Sequence, residues 1–249
     1  MEEWTYEPPG DLDKSWSDRL RDFPREPHMW VFALRSVAAL AMRGWLRLYH
    51  RFEIQGREHL PASGSFVMVA NHQSHLDAPS LLAAVPLSDL HRAFPAAAAD
   101  YFFESLPRSA FSTIAINALP FDREAKGAES LAVCRALLDN PGNILVLFPE
   151  GTRSKDGQVG RFKSGIGRLL AGTEIPVVPC FLSGAHEAFP KGAWFPRPRK
   201  LVLRIGEARS YGDLPEEKDT VRRICAELQA DVEALGGAAD ASDRLRVDR

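Results

Sequence analysis

Phe66-Val67-Met68-Val69-Ala70-Asn71-His72-Gln73-Ser74-His75-Leu76-Asp77-Ala78-Pro79 is the stretch that decides the fold. Five apolar residues without a polar interruption read as a strand buried on both faces. The polar residues after them read as a turn. Pro79 favours a helix that starts at about Asp77, because proline suits a first helical turn. Ser74 with Asp77 three residues later also matches a capping box. A second stretch repeats the pattern: Asn143-Ile144-Leu145-Val146-Leu147 is an apolar run, and Phe148-Pro149-Glu150-Gly151-Thr152-Arg153-Ser154 is a dense polar loop.

Working outward, further strands are expected at 51–56, 91–98, 175–181 and 201–205. Pro95, Pro176 and Pro179 weaken two of them, since proline donates no ladder bond. Helices are expected at 15–23, 28–49, 79–85, 101–108, 124–140, 165–171 and 220–235. Strands alternating with helices imply an α/β fold with a largely parallel sheet flanked by helices. Ligands in such sheets bind beyond the carboxyl ends of strands. Both polar stretches stand at such ends. The chain divides into an N-terminal arm and amphipathic helix (1–50), one α/β domain (51–235) and a tail (236–249) expected to fray.

The 249 residues suit one such domain with an appended element, and 45% apolar content excludes wholesale disorder. A net charge of −2 gives no global pull on nucleic acid, so anion binding must be local. Cys134, Cys180 and Cys225 are too few and too scattered for a disulfide framework and show no metal-ligand spacing. The acidic start, Met1-Glu2-Glu3-Trp4, is unlike a secretory signal.

Segment 28–49 is helical and apolar, but Arg35 interrupts it and Arg43, Arg47 and Arg51 close it. Arg35, Arg43 and Arg47 share one sector of a helical wheel, with Val37, Leu40 and Leu48 elsewhere. A membrane span is disfavoured by Arg35. Two readings remain: a helix lying at a lipid surface with its arginines on anionic headgroups, and a helix packed on the core.

The chemistry concentrates in the two polar stretches. His72 is suited to accept a proton near neutral pH. Asp77 can hold one ring nitrogen and so set the tautomer. On one continuous helix a spacing of five would turn the two apart, so His72 must lie in the turn and Asp77 at the helix entrance. Plain helix capping beside an exposed histidine is the blander reading, and His75 is a rival base. No Gly-x-Ser-x-Gly elbow and no cysteine beside His72 offers a nucleophile, so the acceptor's own hydroxyl is the expected attacker. In the second stretch Gly151 permits close backbone approach, and Arg153 can pair bidentately with phosphate. Arg161 and Lys163 can return to the same pocket. A surface loop with Glu150 paired to Arg153 is the alternative. Arg123, in Pro120-Phe121-Asp122-Arg123, could equally pair with Asp122 or Glu124.

Asn71-His72-Gln73-Ser74-His75-Leu76-Asp77 resembles the first block of the PlsC-type glycerolipid acyltransferases. Phe148-Pro149-Glu150-Gly151-Thr152-Arg153-Ser154 is similar to their third, Pro120-Phe121-Asp122-Arg123 to the end of the second, and Ile175-Pro176-Val177-Val178-Pro179 to the fourth. The second block departs at its opening, where Asn117-Ala118-Leu119 stands in place of the usual glycine. The resemblance implies His72 as base and Asp77 as its partner. It implies Arg123, Glu150, Gly151, Thr152 and Arg153 at a phosphorylated acceptor. It also implies an acyl thioester donor, on coenzyme A or acyl carrier protein, and a lysophospholipid acceptor, with no separate cofactor or metal. The expected product is phosphatidic acid. The expected place is the cytoplasmic face of the cell membrane, held peripherally.

Overall fold

The computed structural model describes residues 29–98, 119–121 and 127–247. The helices expected at 15–23 and 101–108 lie outside these residues, and so does Arg123. The strands are β1 (Glu53–Gln55), β2 (Phe66–Ala70), β3 (Ala93–Ala98), β4 (Leu119–Phe121), β5 (Ile144–Leu147), β6 (Val177–Ser183) and β7 (Val202–Ile205). The helices are α1 (Met29–Tyr49), α2 (Asp77–Ala84), α3 (Gly127–Asp139), α4 (Ser164–Leu170), α5 (Ala185–Ala188) and α6 (Lys218–Val247). The strands form one sheet in the order β1-β7-β6-β2-β5-β3-β4. Every neighbouring pair is parallel except β6 with β7.

The period-two rule divides the apolar residues between two cores. Phe66, Met68 and Ala70 of β2 and Ile144 and Val146 of β5 face one core, with Leu46 of α1 and Leu81 and Leu82 of α2. Val67 and Val69 of β2 and Leu145 of β5 face the other. There they meet Leu137 of α3, Leu169 of α4 and Leu228 of α6. The sheet is thus the middle of three layers, and β2 is buried along its whole length. Each fully buried leucine contributes about 1.5–3 kcal/mol, so this central strand is held rigidly from both sides.

Both proline-bearing strands form. In β6, Pro179 lies opposite Val69 of β2. The β7 ladder has ended one residue earlier, and the Gly206 N–H donates to the Pro179 carbonyl at 2.8 Å, a contact that asks no donor of the proline.

Two expectations are corrected. The last helix does not stop at 235 but continues to Val247. Gly236, which reads as a stop, sits so close to the Phe181 ring that a Cβ there would approach Phe181 Cε2 to 2.8 Å. The second correction concerns α1. Its arginine sector was expected to face lipid headgroups. Instead Arg35 is only 5% exposed, and Arg43 donates to the carbonyls of Leu82 and Val85. A guanidinium suits that place, because the last carbonyls of α2 lack helical partners and carry the negative end of the helix dipole. The outward face of α1 is apolar: Leu34, Val37, Leu40 and Leu48 are all exposed. No helix among the described residues is long and apolar enough to cross a membrane.

Candidate active site

The register of the two central strands builds the site. Val69 of β2 lies beside Leu147 of β5, so three residues further on His72 and Glu150 leave the sheet side by side. The strand is extended into the turn by Asn71. Its side-chain amide donates to the Leu182 carbonyl at 3.1 Å and its Oδ1 accepts from the Leu182 N–H at 2.8 Å. That pair of bonds ties the end of β2 to β6 where backbone pairing has stopped.

His72 is held on every side. Its Nδ1 lies 2.8 Å from Asp77 Oδ2. The same oxygen accepts the backbone N–H groups of Gln73 at 2.7 Å and Ser74 at 2.8 Å. An oxygen already accepting from two amides receives the ring bond too, so Nδ1 carries the proton and Nε2 is left to accept. Asp77 is wholly buried, whereas His72 keeps 21% of its surface open. The ring stacks on Phe148 with 4.3 Å between centroids. The predicted turn-and-entrance arrangement is therefore present. Half of the expected capping box forms: Asp77 reaches back to the Ser74 N–H, but the Ser74 hydroxyl is taken by the Leu76 N–H and the Phe189 carbonyl.

The second motif locks onto the first. Glu150 Oε1 accepts from the His72 N–H at 2.8 Å and Oε2 from the Gly160 N–H at 3.0 Å. The Ser154 N–H donates to the His72 carbonyl at 2.8 Å. Burial pushes the Glu150 carboxyl up, and the two amide donors pull it part of the way back. Glu150, expected at the acceptor, has a buried carboxylate, and each of its oxygens accepts a backbone amide that joins the two motifs. Gly160 allows this approach, since a Cβ there would lie 2.8 Å from Oε2.

Gly151 adopts φ 71° and its N–H closes a turn onto the Phe148 carbonyl. The Lys163 side chain passes directly over it, where a Cβ would collide with the ammonium group. Lys163 is itself tied back through its N–H to the Pro149 carbonyl at 3.0 Å. Of the two basic residues expected to return to this pocket, Lys163 lies over Gly151 and Arg161 is exposed. Thr152 is exposed on the same loop and Arg153 is half-buried. Burial, with the charges of Arg153 and His72 close by, pushes the His75 imidazole down to about 4. The lowered affinity for a proton makes His75 a poor base near neutral pH. Among the described residues, no group of three His, Cys, Asp or Glu side chains gathers in a way that could hold a metal ion.

A family model described as Acyltransferase matches residues 51–183. The chain belongs to the acyltransferase family. The matched segment contains both motifs and the strands that carry them. Similar relatives include a chloroplastic 1-acyl-sn-glycerol-3-phosphate acyltransferase of Brassica napus, 33% identical over 73% of this chain and 49% of that protein. Another, from Arabidopsis thaliana, is 33% identical over 74% of this chain and 49% of its own length. The chain thus spans about half the length of these curated relatives. A crystal structure of the 1-acyl-sn-glycerophosphate acyltransferase PlsC from Thermotoga maritima superimposes with a TM-score of 0.63 at 27% identity, covering 83% of this chain and 80% of that one.

The acyltransferase thus has His72, Asp77, Glu150, Gly151, Thr152, Arg153 and Lys163 beyond the carboxyl ends of the central strands β2 and β5, with Arg123 outside the described residues. Sequence reasoning missed Gly160 as the second anchor of Glu150, and Phe148 as the platform for His72. Gly160 left no signal, because nine residues of loop separate it from its partner. Phe148 left a partial one: an aromatic residue at a strand end, opening the second polar stretch.

Proposed function

We propose that this acyltransferase moves a fatty acyl group from an acyl thioester to the free hydroxyl of 1-acylglycerol 3-phosphate, giving phosphatidic acid. The observation that carries the reading is the open imidazole of His72, oriented by a buried Asp77 and facing a loop that holds Arg153 and Lys163. His72 Nε2 takes the proton of the acceptor hydroxyl as its oxygen attacks the thioester carbonyl. The C–O bond forms and the carbonyl electrons move to oxygen. When they return, the C–S bond breaks and the thiolate leaves, taking the proton from the imidazolium. Asp77 steadies the imidazolium between these two transfers. Loop amides and the Lys163 ammonium are suited to the oxyanion, and Arg153, with Arg123, to the acceptor's phosphate. A phosphate held there fixes the hydroxyl at attacking distance, which can supply several kcal/mol of the barrier reduction, up to about 7–11. Coenzyme A and acyl carrier protein are both consistent carriers of the thioester.

We place the enzyme peripherally on the inner face of the cell membrane. The exposed apolar face of α1 supports a surface contact, with the helix lying flat. The test is mass spectrometry of products after incubation with acyl-coenzyme A or acyl carrier protein thioester and a panel of lysolipids. Phosphatidic acid as the main product from 1-acylglycerol 3-phosphate is the expected result. Preferential acylation of a lysolipid lacking a terminal phosphate monoester would overturn the choice of acceptor.

A further inference from the structure

The loop 190–200 joins α5 to β7 and carries two large exposed rings, Trp194 at 94% and Phe195 at 74%. They pack only on one another, with 6.4 Å between centroids, among the ring contacts of the described residues. Exposing two adjacent aromatic side chains at a loop tip is unfavourable in water and marks an interaction site. The segment around them is strongly basic. Lys191, Arg197, Arg199 and Lys200 fall within it, and it contains no Asp or Glu. Lys200 pairs with Glu53, but Lys191, Arg197 and Arg199 are exposed. In a chain whose net charge is −2, this is a local concentration of positive charge.

The loop is fastened to the C-terminal end of α1. The Tyr49 hydroxyl donates to the Pro196 carbonyl at 3.0 Å, and His50 Nδ1 lies 3.0 Å from the Arg199 carbonyl. Leu48, 85% exposed, is next to Tyr49. The loop with the ring pair is thus tied to the end of the helix that exposes Leu34, Val37, Leu40 and Leu48, where Arg47 and Arg51 are exposed too. At its other end the loop starts from the active site. The Phe189 carbonyl accepts from Ser74, and the Phe189 ring lies 5.8 Å from that of His75.

We propose that loop 190–200 is a second membrane anchor, in which Trp194 and Phe195 enter the headgroup–acyl boundary of an anionic bilayer while Lys191, Arg197 and Arg199 stay among the headgroups. Indole and phenyl rings prefer that depth, and a polybasic rim is drawn to a negative lipid surface. Because Phe189, five residues before Trp194, packs at the wall of the His72 site, insertion of the loop holds the site mouth against the surface from which a lysolipid is drawn. This inference rests on the membrane-surface reading above, and its test does not depend on turnover.

The full chain is floated with vesicles of phosphatidylcholine alone and of phosphatidylcholine with phosphatidylglycerol. Wild type is expected to prefer the anionic vesicles. Trp194→Ser with Phe195→Ser should lower that partition by about tenfold or more, through loss of two inserted rings. Lys191→Gln with Arg197→Gln and Arg199→Gln should erase the preference for phosphatidylglycerol. Trp194→Phe is the check that does not depend on removing the rings. Phosphatidylcholine with brominated acyl chains quenches wild-type fluorescence, and the quenched fraction should fall in this variant while its flotation is kept. Turnover on a short-chain, water-soluble acceptor should persist in the serine variant while turnover on vesicle-borne acceptor falls. Undiminished flotation of the serine variant, or unchanged quenching in Trp194→Phe, overturns the proposal. So does a wild-type dimer that the serine variant dissociates with its flotation intact, for then a second copy covers the rings. Normal flotation behaviour with no turnover on any acceptor would sink the acyltransfer reading and leave this one standing.

Discussion

Replacing Glu150 with glutamine tests the reading that this carboxylate serves to join the two motifs and not to contact the acceptor. Glutamine keeps the shape but converts one acceptor oxygen into an NH₂ donor. That donor must face the N–H of His72 or of Gly160, each now 2.8 or 3.0 Å from a carboxylate oxygen. One charge-assisted bond is lost, worth about 1.5–3 kcal/mol, and a buried donor is left without an acceptor. Removing a buried charge returns part of that cost, because burial already pushes the Glu150 carboxyl up. The net loss of stability should be about 1–2 kcal/mol. The broken bond belongs to the backbone of His72 itself, so the same loosening should lower kcat by about one decade through misplacement of the base. The acceptor KM should stay within about twofold, since no uniform binding contact is removed. Denaturant unfolding and steady-state kinetics, with acceptor varied at saturating thioester, read all three quantities. A raised acceptor KM with unchanged kcat and stability would refute the reasoning and put Glu150 at the acceptor.

Further outcomes follow from the same geometry. His72→Ala should cost about 10²–10⁴ in turnover with the fold retained, and Asp77→Asn a smaller but still large loss through the wrong tautomer. A folded His72→Ala enzyme that keeps more than about a tenth of the wild-type rate would remove His72 as base. Arg153→Ala should lower acceptor efficiency by roughly one to two decades, from loss of about 1.5–3 kcal/mol, while thioester use changes little. Unchanged acceptor kinetics would take Arg153 out of the site. His75 gives a pH signature. Its imidazole is pushed down to about 4, so the unfolded chain binds its proton first as pH falls. Its contribution to stability is therefore present above about 6.5 and is lost progressively as pH falls to about 4. Allowing for screening by the solvent that reaches the ring, wild type should lose about 1–2 kcal/mol more than His75→Gln over that window, measured by unfolding at each pH. Equal losses in the two proteins would mean that His75 is not held neutral by its surroundings.

The local pattern was enough to determine much of this protein. An unbroken apolar pentad, Phe66–Ala70, reads as a strand buried on both faces, and Pro79 together with the His72–Asp77 spacing points to a turn before a helix entrance. A second apolar run at Ile144–Leu147 also ends in a polar stretch, and the two together imply the parallel sheet and put both motifs at strand ends. They also carry the recognition of the family, because the residues that do chemistry are clustered in short segments. What lay beyond the sequence is whatever depends on register and on which face of an element turns inward. Leu147 pairs with Val69 only in the assembled sheet, and that single step of register is what brings Glu150 to His72. The orientation of α1 shows the same limit. A helical wheel places Arg35, Arg43 and Val37 on opposite sectors but cannot say which sector meets the protein. The free carbonyls at the end of α2 decide it: they accept the Arg43 guanidinium, so that Arg35 and Arg43 turn inward and the apolar stripe is left outside. A side chain's partner across the chain is a property of the packed structure, and no spacing within either segment encodes it.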